Sequence, residues 1–155
     1  MNCVFNSPTI KAFIQDACHR TVLYKSPKSY RSELKTIPKM FFVTDVESTN
    51  LYFGAIDNDG MLKRITQNYS LAYAQNIQEA FHCCLGTIWM FQPNAEEIVD
   101  YFWQSAFIPC DWNVINGTVQ YERQKIQNKY VYIPTTPQPK WTLEDLIHEL
   151  TTQRT

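Results

Sequence analysis

Glycine is scarce in this chain: only 4 of its 155 residues are glycine. Loops that cradle phosphates and dinucleotides need closely spaced glycines, because glycine alone adopts positive φ freely and lets the backbone approach the ligand. The sequence therefore disfavours the glycine-rich nucleotide-binding folds. Aromatic residues are abundant by contrast, with 9 Phe, 9 Tyr and 4 Trp.

Long apolar runs are also missing. The most apolar run, from Leu85 to Phe91, is far shorter than the roughly 20 residues that a membrane-spanning helix needs. The segment from Met1 to Arg20 carries charged residues and lacks the continuous apolar stretch of a signal peptide. We therefore expect an unexported, cytoplasmic chain that does not enter a membrane.

The cysteines lack paired spacing. They stand at positions 3, 18, 83, 84 and 110, an odd number without the pattern of a disulfide framework or a zinc motif. In a reducing cytosol such cysteines are most simply free, buried thiols. The sequence therefore predicts no bound metal ion and no cofactor.

The length and composition favour one folded domain. Hydrophobic residues make up 45% and charged residues 19% of the chain, far from the composition of a disordered protein. A chain of this length needs only one core. We predict a single α+β domain with an N-terminal helix and basic connector over 1–39, a sheet with two helices over 40–133, and a proline-rich connector with a C-terminal helix over 134–155.

Apolar spacing and capping residues predict four helices. The first covers about residues 8–23 and the second residues 70–86. The third follows the cap residue Asn94, and the last follows the cap residue Thr142. Polar or proline-rich connectors are predicted from Lys25 to Lys39 and over residues 134–140.

Alternating and β-branched runs predict a three-stranded antiparallel meander that extends into a mixed sheet. The meander strands are Met40 to Glu47, Leu51 to Asp57 and Met61 to Thr66. Further strands are predicted at Thr87 to Phe91 and at Lys129 to Ile133. Asn116-Gly117 is typical of a two-residue hairpin turn.

The net charge of −1 hides an uneven distribution. Residues 1–40 contain seven basic and two acidic residues, residues 41–115 two basic and nine acidic ones, and residues 116–155 have a net charge of +1. The basic connector carries Lys25, Lys28, Arg31 and Lys35, with Tyr24 and Tyr30 between them. Such a segment can follow a phosphate backbone while its rings stack on bases, or it can simply be solvated surface.

Asp45 and Glu47 flank Val46 on one predicted strand, so their carboxylates point to the same face. Two such carboxylates can hold Mg²⁺ or Mn²⁺ for phosphodiester hydrolysis. The segment from Phe41 to Thr49 resembles the first motif of exonucleases with the ribonuclease H fold, and the predicted order of elements from residue 40 is similar to that fold. The resemblance implies a nuclease in which Asp100 is the middle acid and His148 the late histidine.

A second hypothesis is an aromatic, acidic surface on the third helix and the following loop. Exposed Trp and Tyr residues anchor protein interfaces, and acidic residues steer a basic partner. The candidate residues are Tyr101, Trp103, Trp112, Glu96, Glu97, Asp100 and Asp111. Because no complete catalytic set is visible, we predict a small non-catalytic interaction protein that binds another protein. The alternative is the divalent-metal nuclease or phosphodiesterase.

Overall fold

The computed structural model describes residues 1–65, 76–83, 93–107, 109–110, 112–114, 119–137 and 140–152, with the backbone alone for 119–124 and 130–137. The strands are β1 Asn2–Asn6, β2 Ile10–Gln15, β3 Cys18–Lys25, β4 Tyr30–Ile37, β5 Met40–Asp45, β6 Asn50–Ile56, β7 Leu62–Lys63, β8 His82–Cys83, β9 Ala106–Phe107, β10 Val119–Ile126 and β11 Lys129–Pro137. The helices are α1 Ile77–Phe81, α2 Ala95–Gln104 and α3 Leu143–Thr152. The fold is mixed α+β, as predicted, although these ranges contain three helices instead of four.

Strand β5 lies inside the larger, six-stranded sheet. This sheet has the order β1-β2-β5-β6-β7, with β8 also paired to β6, and its pairings are antiparallel. Strands β5, β6 and β7 confirm the predicted meander, although β7 covers only Leu62–Lys63. Every residue of β5 is buried, so this strand needs an apolar layer on both of its faces.

The two faces of this sheet bury separate apolar cores. Across β2, β5 and β6, one face presents the aligned rings Phe13, Phe42 and Phe53. These rings pack with α2 in the first core. One residue along, the other face presents the aligned row Ala12, Val43 and Tyr52. This row packs with α1 and α3 in the second core, so α2 lies on the opposite side of the sheet from the other two helices.

The helix predicted over residues 8–23 is wrong, because this segment forms β2 and β3. The spacing of Ile10, Phe13 and Ile14 also occurs in a strand that is apolar on both faces. Strand β2 is of this kind, since Ala12 belongs to the second core and Phe13 to the first. Two strands therefore replace one predicted helix.

The predicted basic connector from Lys25 to Lys39 is also wrong, because β4 occupies most of it. Strand β4 pairs antiparallel with β3, and β9 pairs parallel with β3 on its other side. The order of this second sheet is β4-β3-β9. Pro27 and Pro38 lie outside the strand, so they bound β4 without interrupting its hydrogen bonding.

Helices α2 and α3 confirm the predicted third and last helices. The N–H of Glu97 donates to Asn94 Oδ1 at 2.9 Å, and the N–H of Asn94 donates to Glu97 Oε1 at 3.3 Å. Thr142 and Asp145 exchange the same pair of hydrogen bonds at the start of α3. Both starts are therefore capping boxes, which satisfy backbone N–H groups that have no partner within the helix.

The second predicted helix, over residues 70–86, is wrong at its end. Helix α1 ends at Phe81, and His82–Cys83 forms β8, which pairs with Leu51 and Tyr52 of β6. Because β7 pairs only with the far end of β6, β8 supplies partners for backbone groups that β7 leaves. The rest of this prediction, residues 70–75 and 84–86, lies outside the described residues, as do the predicted strand over 87–91 and the predicted turn at 116–117.

The strand predicted from Lys129 to Ile133 is confirmed and continues to Pro137 as β11. It pairs antiparallel with β10. Gln127 and Asn128 join the two strands with φ angles of 51° and 63°, the positive values that two-residue hairpin turns need.

The connector predicted over residues 134–140 is therefore wrong as far as Pro137. Pro134 lies opposite Tyr121 on β10, and the pairing register shifts beside Tyr121. Proline lacks an N–H group, and strands accommodate it at such irregular positions. Residues 138–139 lie outside the described part of the chain.

Gly54 allows the close approach of β6 to its neighbours, which makes it a test of this packing. A Cβ atom there would lie 2.7 Å from Lys63 O and 2.9 Å from Phe41 Cε1. We expect Gly54→Ala to lower the free energy of unfolding by about 1–3 kcal/mol, measured by urea denaturation. Gly60→Asn is the control, because its site is open and φ is +83°, a conformation that Asn tolerates. Equal losses for both variants would contradict this explanation.

Candidate binding surface

Asp45 stabilises a turn and does not form a strand-face pair with Glu47. Strand β5 ends at Asp45, so Glu47 lies in the following turn and is exposed. The N–H groups of Glu47 and Ser48 donate to Asp45 Oδ1 at 3.2 and 3.4 Å. The prediction that both carboxylates project from one strand face is therefore wrong.

The other residues of the predicted nuclease site lie apart from one another. Asp100 is on α2, His148 is on α3, and these helices pack on opposite faces of the six-stranded sheet. Within the described ranges, no three His, Cys, Asp or Glu side chains form a group that can hold a metal ion. The structure does not bring Asp45, Glu47, Asp100 and His148 together as the nuclease hypothesis requires.

The predicted aromatic surface is largely core. The exposed fractions of Trp103 and Trp112 are 8% and 2%, and their rings stack with centroids 5.5 Å apart. These two residues therefore cannot serve as the predicted surface anchors. Tyr101 is 38% exposed and shares the exposed side of α2 with Glu96, Glu97 and Asp100. Binding by these four residues stays a prediction, and Asp111 lies outside the described residues.

A buried hydrogen-bond chain connects β3 to the segment after α2, and no sequence motif predicts it. The Tyr24 hydroxyl donates to the backbone oxygen of Cys110 at 2.8 Å and accepts from Trp112 Nε1 at 3.1 Å. Trp112 has a φ of 57°, which is strained for a bulky residue. Tyr24 therefore satisfies the indole N–H that this conformation buries.

The β3–β4 hairpin has two different faces, which the register and the strand alternation define. The inner face, towards the first core, comprises Cys18, Arg20, Val22, Tyr24, Arg31, Glu33, Lys35 and Ile37. The outer face comprises His19, Thr21, Leu23, Lys25, Tyr30, Ser32, Leu34 and Thr36. Leu34 and Tyr30 are 69% and 62% exposed, so the outer face carries large apolar side chains in solvent.

The basic residues predicted to contact nucleic acid all belong to this hairpin. Arg31 Cζ and Lys35 Nζ each lie 5.9 Å from the centroid of the Tyr24 ring. Glu33 forms ion pairs with both, at 3.6 and 4.0 Å. Lys28 is exposed in the turn, and Lys25 Nζ lies 5.8 Å from the centroid of the Tyr30 ring.

The described residues also line a polar cavity and a more apolar cavity away from the hairpin. A polar cavity of about 770 Å³ lies between the β5–β6 turn and the start of α2, with Lys11, Glu47 and Asn94 in its lining. A more apolar one of about 530 Å³ lies along α3, lined in part by Val4 and His148. Neither lining contains a group of metal ligands of the kind described above.

The perturbed pKa values have structural causes. Burial lowers the pKa of His82, whose Nε2 lies 3.2 Å from Asn50 Oδ1. The backbone N–H of Met61 lowers the pKa of Asp57 by donating to its Oδ1 at 2.9 Å. Both groups stabilise connections of β6, because His82 lies on β8 and Asp57 begins the turn to β7.

The cysteines of the described residues are free thiols, as predicted. Cys18, Cys83 and Cys110 are partly buried, whereas Cys3 is exposed on β1. The prediction of burial is therefore wrong for Cys3, because β1 is an edge strand of its sheet with mostly exposed residues.

The Tyr24 hydroxyl supplies a direct test of the buried chain. Tyr24→Phe keeps the ring but leaves the Trp112 N–H and the Cys110 oxygen without this partner. We expect the free energy of unfolding to fall by about 1–3 kcal/mol, measured by chemical denaturation. Tyr30→Phe is the matched control, because Tyr30 is exposed, and its effect is expected within about 0.5 kcal/mol of zero. An unchanged stability of Tyr24→Phe would contradict the assigned role.

The chain matches no protein-family model, no curated protein and no solved structure. The resemblance to ribonuclease H-like exonucleases therefore receives no support from a structural match. Among the helices of the described ranges, none has the length and hydropathy of a membrane span.

Proposed function

We propose that this chain is a non-catalytic interaction protein whose β4 edge binds an extended, acidic segment of another protein. The observation that carries the proposal is the exposed outer face of β4, with Tyr30 and Leu34 in solvent on an edge strand. An edge strand offers backbone N–H and C=O groups to an added strand, while side-chain contacts select its sequence.

The edge itself has the features that strand addition needs. Strand β4 is eight residues long and contains no proline, so each residue keeps a backbone donor and acceptor. In the described part of the chain, β3 is its only paired strand. The other edge of β4 is therefore open to a partner within these ranges.

The charge of the hairpin favours an acidic partner. Residues 1–40 have seven basic and two acidic residues, and β4 itself contributes Arg31 and Lys35 against Glu33. A second copy of this chain would bring like charges together along the edge, which is unfavourable. This replaces the basic partner that the sequence suggested for the acidic, aromatic surface.

Nucleic acid fits this hairpin less well than protein does. Base stacking needs exposed rings beside the cations, but Tyr24 is fully buried. Arg31 and Lys35 lie over its ring and pair with Glu33. Tyr30 remains as an exposed ring, whereas Leu34, further along the same outer face, suits an apolar side chain of a protein strand.

A model peptide tests the proposal. The probe is a capped peptide of eight residues, the length of β4, that alternates valine and glutamate. We expect saturable binding in calorimetry, weakened about tenfold or more by Leu34→Glu, because this change removes an apolar contact and repels the peptide. Ile126→Glu is the matched control, since Ile126 is also an exposed apolar strand residue.

A peptide that alternates valine and lysine should bind far more weakly. Equal binding of both peptides, or equal loss in the Leu34 and Ile126 variants, would contradict strand addition at β4. The same applies if the acidic peptide does not bind and sedimentation shows a dimer that Leu34→Glu abolishes, since the edge would then bind a second copy. Tighter binding of a single-stranded oligonucleotide than of the acidic peptide would also contradict the proposal.

A further inference from the structure

Arg20 and Trp103 form a contact between the inner face of the hairpin and α2. The guanidinium carbon of Arg20 lies 4.4 Å from the centroid of the Trp103 ring. Arg20 is partly buried on β3, and Trp103 lies in the last turn of α2 with only 8% of its surface exposed. Stacking on the indole fixes the position of the guanidinium group.

Both side chains bury an N–H donor that has no acceptor. Arg20 Nε and Trp103 Nε1 have no hydrogen-bond partner in the structure as described. Leaving a buried donor without an acceptor is unfavourable, and native structures rarely do so. The adjacent Trp112 shows the usual outcome, because its Nε1 donates to Tyr24 at 3.1 Å.

The inner face of the hairpin carries net positive charge, whereas α2 carries the acids Glu96, Glu97 and Asp100 on its exposed side. Arg20 lies opposite Lys35 in the strand register, and Arg31 is on the same face. Glu33 is the only acid on this inner face, and its carboxylate already pairs with Arg31 and Lys35. An acceptor that carries negative charge therefore suits the two buried donors better than a neutral one.

We propose that Arg20 and Trp103 bind the oxyanion group, carboxylate or phosphate, of a small molecule. Arg20 presents Nε and its terminal nitrogens as a planar fork that matches two oxygens of such a group. The indole N–H of Trp103 supplies a further donor. This site lies on the inner face of the hairpin and does not depend on strand addition at the outer edge of β4.

The indole N–H resonance of Trp103 reports directly on the site. The chain has 4 Trp residues, and Trp103→Phe identifies the resonance in a proton–nitrogen NMR spectrum. Inorganic phosphate and acetate are titrated separately at constant ionic strength, with sodium chloride as the reference salt. We expect the Trp103 resonance to shift in a saturable way with phosphate or acetate and not with chloride. Tighter binding of phosphate or of acetate identifies the oxyanion group of the ligand as a phosphate or a carboxylate.

Arg20→Lys tests the fork, because it keeps the charge and removes Nε. We expect the affinity for the bound anion to weaken about tenfold or more in Arg20→Lys. Arg31→Lys is the matched control on the same face, and we expect it to change this affinity less than about twofold. Absence of a saturable shift with either anion would overturn the proposal, even if Trp103→Phe does not fold, since the wild-type spectrum decides this point. Equal weakening in both arginine variants would also overturn it.

Discussion

The complete burial of β5 is the constraint on which the rest of the structure depends. A strand buried on both faces needs an apolar layer on each side of its sheet. Helix α2 and the three-stranded sheet β4-β3-β9 supply one layer, and α1 with α3 supplies the other. The same constraint acts on β2, which lies between β1 and β5 and contributes side chains to both cores. The two-sided burial of the central strands thus dictates where all three described helices lie.

Aromatic packing around Phe102 joins the six-stranded sheet to the three-stranded sheet β4-β3-β9. The Phe102 ring lies 5.5 Å from that of Phe42 in the larger sheet and 5.2 Å from that of Phe107 in the smaller one. Both contacts are edge-to-face, a geometry that adds about 0.5–1.5 kcal/mol beyond the burial of area. Trp103 and Trp112 extend this cluster. Large rings fill the space between these two sheets, and Trp103 and Trp112 are among them. These tryptophans are therefore buried and do not form the predicted surface.

Sequence patterns within a few residues predicted the elements that depend on turns and helix caps. The meander of β5 to β7 follows alternating runs bounded by turn residues, and Asn94 and Thr142 are recognisable cap residues ahead of helically spaced apolar residues. The N-terminal strands were not predictable in this way, because a strand that is apolar on both faces has the same short-range spacing as an amphipathic helix. Only the pairing of β2 with the distant β5 decides between the two.

The candidate sites also divide into features that short sequence patterns predict and features that depend on contacts between distant segments. The density of basic residues in the hairpin was visible in the sequence, but the segment that carries them was predicted to be a connector instead of a strand. The contact between Arg20 and Trp103 had no sequence signal, since it depends on packing β3 against α2. The Asp45-Val46-Glu47 motif suggested a shared strand face, but β5 ends at Asp45, and the Asp45 carboxylate accepts the backbone N–H groups of the next turn. Two acids at alternate positions share one strand face only where the strand continues through both of them.

The anchoring of β3 is compatible with the strand addition that we propose at the edge of β4. Tyr24 fixes β3 through hydrogen bonds to Cys110 and Trp112, and β4 is held to β3 along its whole length. A strand fixed in this way loses little conformational entropy when a partner binds, which favours association. Leu34 and Tyr30 alone offer only a small apolar area, so backbone hydrogen bonds must supply most of the affinity and charge most of the selectivity. Since Arg31 and Lys35 lie on the inner face of the same strand, the positive charge belongs to the edge at which we propose that a partner strand is added.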